Sequence, residues 1–154
     1  MGALHKIAFD CYEDNFSLIA LHSNLDDFVL AYTLNVHLNS SFKKCPKELD
    51  FAGKVLFPYF EWTDPFLQGY WTLVCNKSST VALTQTEGLF QTAEERTQYH
   101  LIPEYKKVNY FIKIEQDTPF NDAQLVEKLN AIPKIATAYS IDTNTLKSIN
   151  NLIF

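Results

Sequence analysis

One stretch limits the fold of this chain more than any other: Tyr99–Gln116, reading YHLIPEYKKVNYFIKIEQ. It reads as two strands hinged at Ile102-Pro103-Glu104. In the second, Val108, Tyr110, Ile112 and Ile114 are placed on one face, and Asn109, Phe111 and Lys113 on the other. Alternation with β-branched and aromatic residues predicts a half-buried strand. The chain must therefore build a sheet and cover it. Its 12 Phe, 8 Tyr and 2 Trp strengthen that reading, because aromatic side chains favour strands.

Further sheet is legible upstream. Lys6–Tyr12 reads as a strand, Glu13-Asp14-Asn15 as a turn, and Phe16–His22 as a second strand completing a hairpin. The run Leu18–Leu21 is apolar on both faces, which predicts a central strand. Phe51–Trp62 reads as one strand, with Pro58 demanding an edge or a bulge because it has no N–H for a ladder. Tyr70–Asn76 is the next strand. Lys77–Gln98 is irregular, and a hairpin is expected within it without a defined register.

Two helices are expected. Ser23 opens the first as a cap, with Asp26 and Asp27 near the positive end of its dipole, and the helix runs to Leu38. This helix is apolar on two sides. Leu25, Phe28, Val29, Tyr32 and Val36 form one stripe; Leu30, Ala31, Leu34 and Leu38 form the other. Two stripes mean cover from both sides, either within the fold or by a partner. Asn121-Asp122 cap the second helix, whose buried side is Leu125, Val126, Leu129 and Ile132, and Pro133 ends it. Ile135–Ile141 is the last strand, so Val108–Ile141 reads strand–helix–strand; were those strands neighbours, they would be parallel. The tail Leu152-Ile153-Phe154 is expected to dock.

The expected class is α+β: residues 1–154 as a single domain, with a mostly antiparallel sheet of about six to eight strands, two α-helices and a C-terminal strand–helix–strand unit. A chain of 154 residues can bury roughly 70% of its unfolded surface. Its composition, 47% hydrophobic and 20% charged, is that of a globular protein.

The motif stretch also carries a likeness. Ile102-Pro103-Glu104, followed by Asn109-Tyr110-Phe111, resembles the bacterial IPExxxDY family, and the similarity extends over most of the chain. Two departures stand out. Asn109 occupies the place of the Asp in the signature, and four residues, Tyr105 to Val108, separate it from Glu104 where the signature has three. The resemblance implies a stand-alone cytosolic domain and no particular chemistry.

Function classes are narrowed mostly by exclusion. A net charge of −5 argues against nonspecific nucleic-acid binding. Cys11, Cys45 and Cys75 are widely spaced and form no CxxC, which predicts reduced thiols in a reducing compartment. No apolar run has the length of a signal peptide or of the roughly 18-residue membrane span, so a cytoplasmic location without membrane contact is expected. The four histidines lack zinc-ligand spacing, Asp10, Glu13 and Asp14 lack the calcium-loop pattern, and no glycine-rich nucleotide motif is present, so neither metal nor cofactor is expected.

Three functional readings follow. The leading one is a non-enzymatic protein-interaction module, pairing with a protein partner or with itself as a homodimer through helix Leu25–Leu38, with Leu30, Leu34 and Leu38 as the contact residues. The second is an enzyme or small-ligand binder with a pocket between Glu61, Glu104, Tyr110 and the aromatics; the competing structural reading has Glu104 accepting backbone amides and Tyr110 filling the core. His22 beside Asp26 and Asp27 is a further acid–base candidate, against a packing role at a strand end. The third is RNA binding by the aromatics of Phe57–Trp62 and Trp71 with Lys43, Lys44, Lys106 and Lys107, against an aromatic core shared by two strands.

Overall fold

The computed structural model describes residues 16–51, 53, 55–85 and 92–154. The expected strand Lys6–Tyr12, the turn Glu13–Asn15, Cys11, the Asp10/Glu13/Asp14 group and the Gly88–Phe90 island lie outside the described residues.

Strand β1 (Phe16–His22) is as apolar as its sequence demands: Leu18, Ile19, Ala20 and Leu21 are all fully buried. It lies between β9 (Tyr110–Glu115) and β10 (Thr137–Ile141) and is antiparallel to both. Ile19 faces Ile112 on one side and Ser140 on the other. The sheet continues from β9 to β6 (Tyr70–Cys75), β5 (Tyr59–Thr63) and the short edge strand β2 (Lys43–Lys44), antiparallel throughout. The C-terminal strand–helix–strand unit is thus split. Its two strands run parallel to each other, but β1 occupies the gap between them.

Two ribbons flank this six-stranded sheet. Leu49–Phe51 (β3) and Val55–Phe57 (β4) form a hairpin where the sequence reads a single strand. The reversal is local: Gly53 has φ +65°, and its amide donates to Asp50 Oδ1 at 2.9 Å. Pro58 then separates β4 from β5 and so marks the passage from one sheet to the other. The expected hairpin in Lys77–Gln98 is β7 (Lys77–Gln85) paired with β8 (Thr92–His100). The described residues hold ten strands: six in the main sheet, within the expected six to eight, and four in the two ribbons.

Helix α1 (Asp27–Leu38) and helix α2 (Asp122–Asn130) cover one face of the sheet. Leu30, Ala31 and Leu34 of α1 and Leu125 and Leu129 of α2 meet Ile19, Leu21, Leu73, Ile112 and Ile114 there. The opposite face packs Leu18, Ala20, Val74 and Phe111 against Phe57, Leu101, Ile102 and Leu152. Burying a side chain of this size stabilises the fold by roughly 1.5–3 kcal/mol. Leu152 anchors the tail, while Ile153 and Phe154 remain half exposed.

This double cover corrects the reading of the central stretch. β9 is buried on both faces, not one: Tyr110, Phe111, Ile112, Lys113 and Ile114 are all inside. Val108, outside the strand, packs with Phe111 and not with Tyr110, Ile112 and Ile114. Lys113 is tolerated because Glu115 pairs with its Nζ at 3.2 Å and the rings of Phe16 and Phe154 flank it at 4.9 Å.

The helix starts also differ in detail. Asp26, not Ser23, occupies the cap position of α1. Ser23 instead ties the approach to the helix: its Oγ accepts from the Leu25 amide at 3.2 Å and donates to the Lys134 carbonyl at 2.9 Å. Asn39, at φ 53°, ends α1 in the left-handed region. In α2 the expected cap is present, with Asn121 Oδ1 accepting from the Gln124 amide at 3.1 Å.

Candidate functional site

The motif residues converge on a turn held by amide side chains. Leu101 and Ile102 are buried, and Pro103–Tyr105 forms one turn of 3-10 helix. Asn76, at the end of β6, is fully buried beneath it. Its Nδ2 donates to the carbonyls of Tyr105 at 2.8 Å and Val108 at 3.0 Å, and its Oδ1 accepts from the Ile102 amide at 2.8 Å. Asn151 adds a bond to the Leu101 carbonyl at 2.8 Å. Nothing in the pattern of β6 singles out Asn76; the one sequence signal is an amide residue at the end of an apolar strand.

Glu104 faces away from this knot. Its carboxylate accepts from the Lys147 amide at 3.0 Å and from the Ser148 hydroxyl, tying the turn to the C-terminal segment. The Ser148 bond, helped by Lys147, holds the carboxyl below its usual range. Asn109 Oδ1 accepts from the Ser23 amide at 3.1 Å. That role needs an acceptor and no charge, so Asn serves as well as Asp. Tyr110 is in the core, its hydroxyl donating to the Leu25 carbonyl at 2.6 Å, and burial raises its pKa above the ordinary phenol range.

The pocket expected from Glu61, Glu104 and Tyr110 is not assembled. Glu61 stands opposite Thr72, itself opposite Lys113, on the face away from the helices. Tyr110 lies on the helix side, in register with Cys75 of β6. Glu61 accepts instead from the Tyr70 hydroxyl, which burial, then that bond, raises above the phenol range. His22 pairs with the Tyr139 hydroxyl at 3.1 Å and makes no bond to Asp26 or Asp27 among the described residues. Burial pushes the Cys75 thiol up to about 12, the opposite of what a nucleophile requires. Cys45 Sγ donates to the Tyr59 hydroxyl at 2.9 Å. Among the described residues no three His, Cys, Asp or Glu side chains gather as metal ligands. Phe57, Phe60 and Trp71 are buried and Tyr59 and Trp62 are part-buried, so the aromatic run belongs mainly to the interior.

The outer face of α1 is different. Phe28, Val29, Tyr32 and Val36 are 58%, 47%, 71% and 60% exposed. Phe28 rests its edge on Phe60 at 5.4 Å and lies under Lys44 Nζ at 4.9 Å; Tyr32 and Val36 continue the stripe at four-residue spacing. No Asp, Glu, Lys or Arg occurs between Asp27 and Lys43. This reverses the expected contact residues. Leu30 and Leu34 have no exposed surface and Leu38 packs partly against the core, so none of the three can be the centre of an outside interface. The two stripes share one spacing, and period alone cannot say which faces the sheet. Ala31 could have told them apart, since a small side chain beside Leu30 and Leu34 lets the helix approach the strands closely.

Compared with family models, curated proteins and solved structures, the chain matches none. No helix among the described residues is long and apolar enough to cross a membrane.

Proposed function

We propose that this chain is a cytoplasmic, non-enzymatic protein-interaction module that pairs with a second copy of itself through the outer face of α1. The observation that carries the reading is the stripe Phe28, Val29, Tyr32 and Val36, exposed on a helix whose inner face already fills the core. A face that is apolar apart from Lys44 over Phe28 calls for an apolar counterpart. The same face on another copy supplies one, and a two-fold arrangement needs no second kind of surface. Four side chains amount to less than the roughly 800 Å² per partner of a standard interface, so the association is weak and depends on concentration. The likeness of Ile102-Pro103-Glu104 and Asn109-Tyr110 to the IPExxxDY signature supports membership of that family, with the motif acting as a brace for the fold.

Sedimentation equilibrium over a range of concentrations tests this. The unaltered chain is expected to gain mass with concentration, and Tyr32→Lys to remain a monomer with an unchanged circular dichroism spectrum. A monomer at every concentration, or a dimer indifferent to Tyr32→Lys, would overturn it.

A further inference from the structure

The six-stranded sheet has two unlike edges. An edge strand presents unpaired N–H and C=O groups, and another chain can pair with them unless something stands in the way. At one end the outer strand is β2, only two residues long, both of them exposed lysines. Shortness and charge are ordinary protection for an edge. At the other end, among the described residues, the outer strand is β10, reading TAYSI. It has five residues, no charge and no proline, and its Thr, Tyr and Ile favour strands. Its own sequence leaves it open to pairing.

Protection comes from α2. Ala138 lies opposite Leu21 of β1, yet both of its main-chain groups bond elsewhere. Its N–H donates to Asn130 Oδ1 at 2.8 Å, and its C=O accepts from Asn130 Nδ2 at 3.0 Å. A carboxamide carries an acceptor and a donor side by side, as a peptide group does. Asn130 therefore makes on Ala138 the two bonds that a residue of an added antiparallel strand would make. Alternate residues of a strand turn their main-chain groups to the same side, so Ser140 is the next to face outward. There Asp122, at the other end of α2, accepts from Ser140 Oγ at 3.0 Å and sets a carboxylate beside the edge.

We propose that Asn130 guards this sheet edge: its side chain occupies the place of a neighbouring strand on β10 and keeps the β10 of a second copy from adding there. Where the pairing through α1 proposed above holds, an open β10 edge would give each copy a second self-complementary surface, and pairs would join into open chains. Edge closure itself does not depend on that pairing, and Tyr32→Lys separates the two.

In the full chain carrying Tyr32→Lys, adding Asn130→Ala is expected to turn a monomer into a species whose mass rises with concentration in sedimentation equilibrium. Asn130→Asp also loses the Nδ2 bond, but it leaves a charge on the edge and is expected to stay monomeric. Without Tyr32→Lys, Asn130→Ala is expected to form chains; dimers alone there would support the edge and count against the α1 pairing. Amide exchange on the unaltered chain needs no substitution. Ala138 is expected to be protected to within about tenfold of Tyr139, whose groups face β1, and Asn130→Ala at low concentration to speed Ala138 by about tenfold while Tyr139 is unchanged. A monomeric Asn130→Ala, an Asn130→Asp that associates equally, or an Ala138 amide that exchanges as freely as a loop in the unaltered chain would overturn the proposal.

Discussion

Asn76 holds the motif turn from inside the core. It spends two N–H groups and an acceptor on the turn Leu101–Asn109, wholly out of water. Asn76→Ala leaves those backbone groups unmatched and should cost about 2–4 kcal/mol; Asn76→Asp, which points a buried carboxylate at two carbonyls, should cost at least as much. Denaturant unfolding measures both. At Asn109 the expectation is the reverse. Asn109→Asp keeps the acceptor for the Ser23 amide and should stay within about 0.5 kcal/mol of the parent, while Asn109→Leu should lose about 1–3 kcal/mol. Glu104 sets a pH dependence. Its folded pKa lies below the ordinary 4.5, so its contribution is present above that value and is lost as pH falls through the folded value. The gap in Tm between the parent and Glu104→Ala should therefore be largest at neutral pH and close in acid; a gap independent of pH would remove Glu104 from the account. The sequence made the structural roles of Glu104 and Tyr110 legible, because a carboxylate after Pro and a phenol in an apolar alternation both have ordinary uses in a fold. It hid Asn76, because hydrogen bonds over long sequence distances leave no periodic trace.

Among elements, α1 separates what pattern can settle from what it cannot. Its existence, its end near Leu38 and its double apolar character follow from the spacing of side chains. Its orientation does not, since Leu30–Leu34–Leu38 and Phe28–Tyr32–Val36 are the same pattern rotated about the axis. The observed orientation has a direct consequence. Leu34→Ala should destabilise the chain by about 2–5 kcal/mol, and Tyr32→Ala by less than about 0.5 kcal/mol. Comparable losses in thermal or denaturant unfolding would mean that α1 is turned otherwise. A similar ambiguity affected Phe51–Trp62, where a tight reversal at Gly53 and a change of sheet at Pro58 interrupt what reads as continuous strand.

At the scale of the whole molecule, the α+β class and the antiparallel sheet were legible because short apolar runs alternate with isolated helical segments. Strand order was not. Nothing near residues 16–22 announces that β1 inserts between β9 and β10, since register and neighbour choice depend on long-range packing. With a core on each sheet face, the outer stripe of α1 is left as an apolar helix face without cover among the described residues. Self-association through that stripe is the central claim. Methyl NMR spectra recorded over a dilution series test it most directly. The signals of Val29 and Val36 should shift and broaden as concentration rises, while those of Leu30 and Leu34 stay fixed. Spectra that do not change with concentration, or changes centred on Leu30 and Leu34, would contradict it.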